Sequence, residues 1–219
     1  MKNYEYILFD LDGTITDPGE GITNSVAYSL KTYGINVSDK RELYTFIGPP
    51  LYASFMKYYG FSEEQAIEAV DRYREYYRDK GVFECVLYPE IKNLLERLYL
   101  SGKKIILATS KPEFFANQIL EHFDIKKYFY YIAGATMDGS RIDKADIIKY
   151  ALDGINLLDK SLAVMIGDRS FDIIGAKENG IASIGVTYGY GSREELENAN
   201  ANYICDTVSE IEQIILKKC

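Results

Sequence analysis

Tyr4-Glu5-Tyr6-Ile7-Leu8-Phe9-Asp10-Leu11-Asp12-Gly13-Thr14 begins with a short apolar, β-branched and aromatic run and stops abruptly at two aspartates two positions apart. Tyr4 to Phe9 reads as a buried strand, ended by Asp-Leu-Asp-Gly. The same form recurs at Lys104 to Ala108, ending in Thr109-Ser110, and at Leu162 to Ile166, ending in Gly167-Asp168. Phe129 to Ala133, Ser183 to Val186 and Tyr203 to Cys205 are further candidate strands. Helical stripes lie between them: Ile91, Leu94, Leu95 and Leu98 after a first-turn Pro89 and before a stop at Gly102, then Ile147, Ile148, Ala151 and Leu152, then Ile211, Ile214 and Ile215. Strands alternating with helices imply an open, mostly parallel α/β sheet with right-handed crossovers. In such sheets ligands gather at the carboxyl ends of the strands, where this chain carries its polar residues.

Residues 17–86 break the alternation, with helix signals and no convincing strand. Ile22, Val26 and Leu30 recur at helical spacing, Asp39/Glu42 and Ser62/Gln65 have capping-box spacing, and Ala66, Val70, Tyr73 and Tyr77 form a long stripe. The segment is expected to be an all-helical domain inserted after the first strand, with residues 1–16 and 87–219 forming the α/β core. The charged run Asp71 to Lys80 reads as a solvated helix face.

At 219 residues, 47% hydrophobic and 26% charged, the chain has an ordinary globular composition and can bury a substantial core. A net charge of −8 argues against a nucleic-acid polymer as partner, since that binding calls for a basic face. It leaves room for a small anionic substrate, because a metal and one or two cations reverse the field locally. The apolar run Ile7-Leu8-Phe9 is too short for a signal-peptide core, and no stretch has the length of a membrane span. Cys85, Cys205 and Cys219 are an odd set without metal-type spacing, as expected of reduced thiols in a cytoplasmic protein. A monomer or a dimer is expected.

Asp10 and Asp12, straight after a buried strand, repel each other and are costly to ionise unless a cation compensates them. A hard divalent metal bound through oxygens does so, and Mg²⁺ suits a phosphate site. Asp10 can then be a carboxylate nucleophile that attacks phosphorus, and Asp12 can protonate the leaving oxygen and later activate water; two aspartates that merely cap a turn are the alternative for these residues taken alone. Gly13 lets the backbone pass close to the phosphate. An EF-hand calcium loop does not fit: Gly13 comes too early and Gly21 stands where the bidentate Glu belongs. Thr109-Ser110, a hydroxyl and backbone N–H groups entering a helix, form a natural phosphate site. Asp168, at a strand end, is placed to complete a metal site with Asp10. His122, the only histidine, reads as structural.

The order of these elements resembles the haloacid dehalogenase superfamily: strand then Asp10-Leu11-Asp12-Gly13-Thr14, strand then Thr109-Ser110, Lys144, and strand then Gly167-Asp168-Arg169-Ser170-Phe171-Asp172. The resemblance implies a Rossmann-like, mostly parallel sheet with helices on both faces and an inserted all-α cap over residues 17–86. It implies Asp10 as nucleophile, Asp12 as general acid/base and Thr109 as the hydroxyl that holds the phosphate, with a backbone N–H from Ser110. Lys144 matches the lysine that neutralises Asp10 and the phosphoryl group. Asp168 matches a metal-binding carboxylate, with Asp172 as a second acid, and the backbone carbonyl of Asp12 joins Asp10 in holding Mg²⁺.

The placement of the cap resembles the branch of phosphoglycolate phosphatases, β-phosphoglucomutases and small-metabolite phosphatases. Phe46-Ile47-Gly48-Pro49-Pro50-Leu51 is similar to a glycine-proline turn of that branch, which makes Gly48 and Pro49 candidate substrate contacts. Pro89-Glu90 stands where relatives commonly carry Pro-Gly, and Ile142-Asp143-Lys144 replaces the frequent Lys-Pro-Lys. Gly139 to Ala145 looks closer to the 5'-nucleotidase-like group, which makes Arg141 a candidate phosphate contact. The expectation is a Mg²⁺-dependent phosphomonoesterase acting on a small phosphorylated metabolite, a nucleoside monophosphate first and 2-phosphoglycolate next. A phosphoglucomutase-like isomerase and a non-catalytic binding protein are the alternatives.

Overall fold

The computed structural model describes residues 3–216; Cys219 lies outside them. The chain opens with β1 (Tyr6–Phe9), the two-residue β2 (Thr16–Asp17), the helices α1 (Gly19–Thr32), α2 (Leu51–Tyr59) and α3 (Glu63–Tyr76), and the two-residue β3 (Val86–Leu87). It continues through α4 (Ile91–Leu100), β4 (Lys104–Pro112), α5 (Glu113–His122), β5 (Phe129–Ala135), α6 (Lys144–Gly154) and β6 (Ala163–Gly167). It closes with α7 (Ser170–Glu178), β7 (Ala182–Val186), α8 (Arg193–Asn198), β8 (Tyr203–Cys205) and α9 (Val208–Leu216). Two compact units result, one holding the chain up to Thr16 and again from Leu87, the other running Asp17–Val86.

In the first unit six parallel strands lie in the order β5-β4-β1-β6-β7-β8. Ile7, Leu8 and Phe9 are wholly buried, each stabilising by about 2 kcal/mol relative to exposure. Leu8, Ile106 and Met165, from three adjacent strands, pack with Ile147, Ile148 and Ala176 of α6 and α7 in one cluster. Ile7 and Phe9 point the other way by strand alternation and are equally buried, so both faces of the sheet are covered. The α4 stripe Ile91, Leu94, Leu95 and Leu98 is fully buried, as is the α6 stripe apart from a trace of Leu152.

The register positions the polar residues. Phe9 stands level with Leu107 and Ile166, so Asp10 leaves β1 at the same edge at which Thr109 and Gly167-Asp168 are reached. β1 is also where the strand order reverses, with β4 and β5 on one side and β6 to β8 on the other. That is the topological switch point of an open α/β sheet. β4 runs on to Pro112 rather than stopping at Ala108, and it does so irregularly. Thr109 pairs with Gly134 and Pro112 with Ala135, so Ser110 and Lys111 are extra residues bulged out of the ladder.

The second unit is helical. Val26, Leu30, Leu43, Phe46, Phe55 and Ala66 are buried in its core. Ser62 and Gln65 form the capping box that starts α3. Asp39 and Glu42, at the same spacing, do not: Lys40–Phe46 is a 3₁₀ segment in which the Asp39 carboxylate accepts from the Arg41 N–H and guanidinium. Phe46 packs edge-on against Phe55 at 5.0 Å, and Phe55 stacks on Phe61 at 5.8 Å, so these rings serve the unit's own core. Tyr52 and Tyr58 stay exposed. Among the described residues no helix is long and apolar enough to cross a membrane. Cys85 and Cys205 are not joined in a disulfide.

Candidate active site

Asp10 sits one residue past β1, its N–H donated to the Ile166 carbonyl at 2.9 Å, and its side chain is almost fully buried. Its Oδ1 accepts from the Leu11 N–H at 2.8 Å and from Lys144 Nζ at 2.8 Å. Lys144 opens α6 and also reaches Asp172 Oδ1 at 2.9 Å and the Ala108 carbonyl at 3.1 Å. Burial alone would lower its affinity for a proton, but the Asp10 and Asp172 carboxylates more than reverse that, so the ammonium holds its proton more tightly than usual.

Asp12 turns its carboxylate to a different cation. Its Oδ2 meets Lys111 Nζ at 2.8 Å, while Oδ1 is buried with no partner. Burial pushes the Asp12 carboxyl up, and Lys111 opposes that without cancelling it. Gly13 follows at φ +81, a conformation that suits glycine, and a Cβ there would meet Asp168 Oδ2 at 2.2 Å.

Asp168 lies just past β6, and Asp172 lies in the first turn of α7. Asp172 caps that helix by accepting the Arg169 N–H on Oδ2 at 3.1 Å, so both its oxygens are engaged once Lys144 is counted. Asp168 Oδ2 accepts the Tyr190 N–H at 2.7 Å, and its Oδ1 is buried without a partner. Burial, then the neighbouring Asp172 and Asp10, lift Asp168 to about 8. Asp10, Asp168 and Asp172 each offer an oxygen within 4.8 Å of the others. One lysine against three carboxylates leaves net negative charge, and an unpartnered buried oxygen points into it. That donor set fits a hard divalent cation such as Mg²⁺.

One wall of this pocket was not singled out from the sequence. Thr187-Tyr188-Gly189-Tyr190-Gly191 follows β7 and wraps Asp168: a Cβ on Gly189 would lie 2.3 Å from the Gly13 carbonyl oxygen and 2.5 Å from Asp168. Tyr188 donates its hydroxyl to the Thr14 carbonyl at 3.0 Å. Two glycines interleaved with tyrosines straight after a strand are the available sequence signal for such a close approach. Lys111 likewise carries no local sequence signal for its contact with Asp12.

The structure therefore brings together Asp10, Asp12, Gly13, Thr109, Lys144, Asp168 and Asp172 in the first unit. Thr109 is buried, its Oγ1 accepting the Lys111 N–H at 3.2 Å, and Ser110 is half-buried in the bulge beside it. Arg141 is engaged elsewhere: its guanidinium donates twice to the Gly134 carbonyl (3.0 and 2.9 Å), pairs with Glu113 at 3.6 Å and stacks on Tyr150. Gly48 and Pro49 belong to the second unit, in the turn before α2, with Gly48 at φ 101. His122 closes α5 with its ring against Phe123.

Comparison with known proteins bears on this geometry. The profile of the haloacid dehalogenase-like hydrolases matches residues 7–186. A 5'-nucleotidase of Pseudomonas aeruginosa is 44% identical over 212 residues, covering 97% of this chain and 96% of that protein. The tyrosine-protein kinase PtkA of Mycobacterium tuberculosis is 35% identical over 96% of this chain and 72% of its own length. Among solved structures, that of a predicted phosphatase from Clostridium acetobutylicum matches with a TM-score of 0.93 and 51% identity, over 98% of this chain and 99% of that one.

Proposed function

The chain belongs to the haloacid dehalogenase-like hydrolases and is a phosphatase, and on that premise we propose that it hydrolyses a small phosphomonoester through an aspartyl-phosphate formed on Asp10. The observation that carries the mechanism is the buried Asp10 carboxylate at a strand end, 2.8 Å from the Lys144 ammonium.

In the first step a carboxylate oxygen of Asp10 forms a bond to phosphorus as the P–O bond to the leaving group breaks. The departing oxygen takes the proton of the Asp12 carboxyl. In the second step Asp12 removes a proton from water, the water oxygen attacks phosphorus, and the bond to Asp10 breaks to release inorganic phosphate. Lys144 offsets the charge on Asp10 and on the phosphoryl oxygens, while Thr109 Oγ1 and the backbone N–H of Ser110 hold those oxygens. Asp10, Asp168 and the Asp12 carbonyl would hold Mg²⁺, which neutralises phosphoryl charge when bound. Asp172, with both oxygens already engaged, acts from the outer shell.

The substrate we put first is a nucleoside 5'-monophosphate, supported by the likeness to the Pseudomonas aeruginosa 5'-nucleotidase; 2-phosphoglycolate comes next. Residues 17–86 are the cap that selects it, with Gly48 and Pro49 as candidate contacts. Cys85 and Cys205 as reduced thiols support a cytoplasmic location. The test is a screen of the purified protein with Mg²⁺ against phosphorylated metabolites, scored by phosphate release, with Asp10→Asn alongside. Phosphate release by the wild type and none by the variant is expected. Turnover by Asp10→Asn would overturn the nucleophile, an isomerised sugar phosphate would point to a mutase, and phosphotyrosine formed from ATP would make water the wrong acceptor.

A further inference from the structure

Lys144 serves Asp10 and Asp172, so it is not the cation that attends Asp12. That place is taken by Lys111, whose Nζ lies 2.8 Å from Asp12 Oδ2. Both side chains are withdrawn from solvent, Lys111 to 5% exposure and Asp12 to 15%. In such surroundings a charge-assisted contact is short and directional.

The contact depends on the irregularity in β4. A regular strand would send Ser110 and Lys111 to opposite faces of the sheet. Instead the ladder with β5 steps from Thr109↔Gly134 to Pro112↔Ala135, so both residues leave the pairing and Lys111 can turn toward Asp12. Two further contacts hold the bulge. Thr109 Oγ1 accepts the Lys111 N–H at 3.2 Å, and on the β5 side Arg141 grips the Gly134 carbonyl with two N–H groups. Arg141 thus braces the strand position from which the bulge departs.

The consequence falls on the carboxylate of Asp12. A carboxyl group has two equivalent oxygens and turns about its bond to Cβ, so as a proton donor it needs one of them held. Lys111 occupies Oδ2. Oδ1 is left buried and without a partner, the one oxygen of the pair free to meet a reacting atom. We propose that Lys111 is a positioning residue that pins Asp12 Oδ2 and thereby presents Oδ1 for both proton transfers. The proposal rests on the assignment of Asp12 as the acid and base of the reaction.

The experiment uses Lys111→Met and Lys111→Arg in the full chain with Mg²⁺. It compares 5'-AMP, whose alkoxide leaving group needs a proton, with p-nitrophenyl phosphate, whose leaving group does not. In Lys111→Met, kcat/KM for 5'-AMP should fall by about 100-fold, the usual worth of one acid–base group, while kcat/KM for p-nitrophenyl phosphate falls by less than about tenfold. Release of the phosphoenzyme still needs Asp12 as base, so a pre-steady-state burst of about one p-nitrophenol per protein should appear, followed by slow turnover. Lys111→Arg, which keeps a cation in reach, should recover most of both rates. Where the methionine variant does not fold, Lys111→Gln takes its place as the uncharged variant, with an unequal loss on the two esters again the expected sign. In the uncharged variant, equal losses on the two esters without a burst, a rise in KM with kcat unchanged, or wild-type behaviour would each overturn the proposal. Asp10→Asn separates the two levels: if it is dead while Lys111→Met behaves as wild type, only the role of Lys111 falls.

Discussion

Lys144 Nζ stands 2.8 Å from Asp10 Oδ1, and this buried pair links the first turn of α6 to the end of β1. Removing the ammonium leaves Asp10 and Asp172 facing each other without it. Lys144→Met should therefore cost about 10²–10³ in kcat, the usual price of one preorganised charge at a reacting centre. The variant should also melt earlier than the wild type, since a buried charge that loses its partner destabilises the fold. Steady-state kinetics and thermal denaturation check both. A variant with wild-type kcat would remove Lys144 from the reaction.

Magnesium binding should depend on pH with a definite sign. Burial and the nearby Asp172 and Asp10 lift Asp168 to about 8, whereas in the unfolded chain it titrates near an ordinary value of about 3.9. Between those values the folded protein holds a proton that the unfolded chain has lost. The metal-free contribution of Asp168 to stability therefore declines as pH rises from about 4 to about 8. Mg²⁺ takes only the carboxylate, so it must displace that proton. Its affinity should rise about tenfold per pH unit from about 6.5 and level off above about 8. Titration calorimetry without substrate reads this directly, and the rise in melting temperature on adding Mg²⁺ should be larger at pH 8 than at pH 6. A pH-independent affinity would remove Asp168 from the metal site.

Gly189 has no room for a side chain, because a Cβ would lie 2.3 Å from the Gly13 carbonyl oxygen and 2.5 Å from Asp168. Gly189→Ala has to push the loop off both. It should cost about 1–3 kcal/mol of stability, as overpacking does. It should also raise the Mg²⁺ concentration for half-maximal turnover by about tenfold or more, since orientation of a metal carboxylate by its neighbours is worth that much. A metal titration of turnover at fixed substrate, with a melting curve, separates the two effects. Loss of stability with unchanged metal dependence would make the glycine merely a packing residue.

The parts of the site that could be read from the sequence are those written into one strand and its end. Ile7-Leu8-Phe9 before Asp10, and Val164-Met165-Ile166 before Asp168, announce both the buried strand and the polar residue at its edge. The α4 and α6 stripes are legible for the same local reason: one face buried at helical spacing. Lys111 was not legible, because its direction depends on how β4 pairs with β5, more than twenty residues away. The loop at Gly189 was hidden in the same way, since Asp168 is what it encloses. Arg141, a candidate phosphate contact by the likeness of Gly139 to Ala145 to the 5'-nucleotidase-like group, has its guanidinium on a carbonyl of β5 and over the Tyr150 ring, partners that lie outside its own stretch of sequence. Asp39/Glu42 and Ser62/Gln65 have identical spacing, yet only the second is a capping box, because Arg41 competes for the Asp39 oxygens.

Glu90 follows Pro89 in a backbone conformation that suits a glycine better than a glutamate. Glu90 has φ 65 and ψ −7, in the left-handed region, at the cap of α4, and its side chain makes no capping bond. An L-residue there costs about 1–2 kcal/mol that glycine does not incur, while glycine loses about 0.5–1 kcal/mol more chain entropy on folding. The net expectation for Glu90→Gly is a gain of about 0.5–1 kcal/mol. For a chain of this length that is a rise of about 1–4 °C in melting temperature. The turn is exposed and the carboxylate pairs with none of the pocket residues described above, so kcat should stay within about twofold of wild type. Thermal denaturation and steady-state kinetics on the same preparation test this, and a lower melting temperature would mean that the Glu90 side chain supplies a stabilising interaction larger than the strain of its backbone.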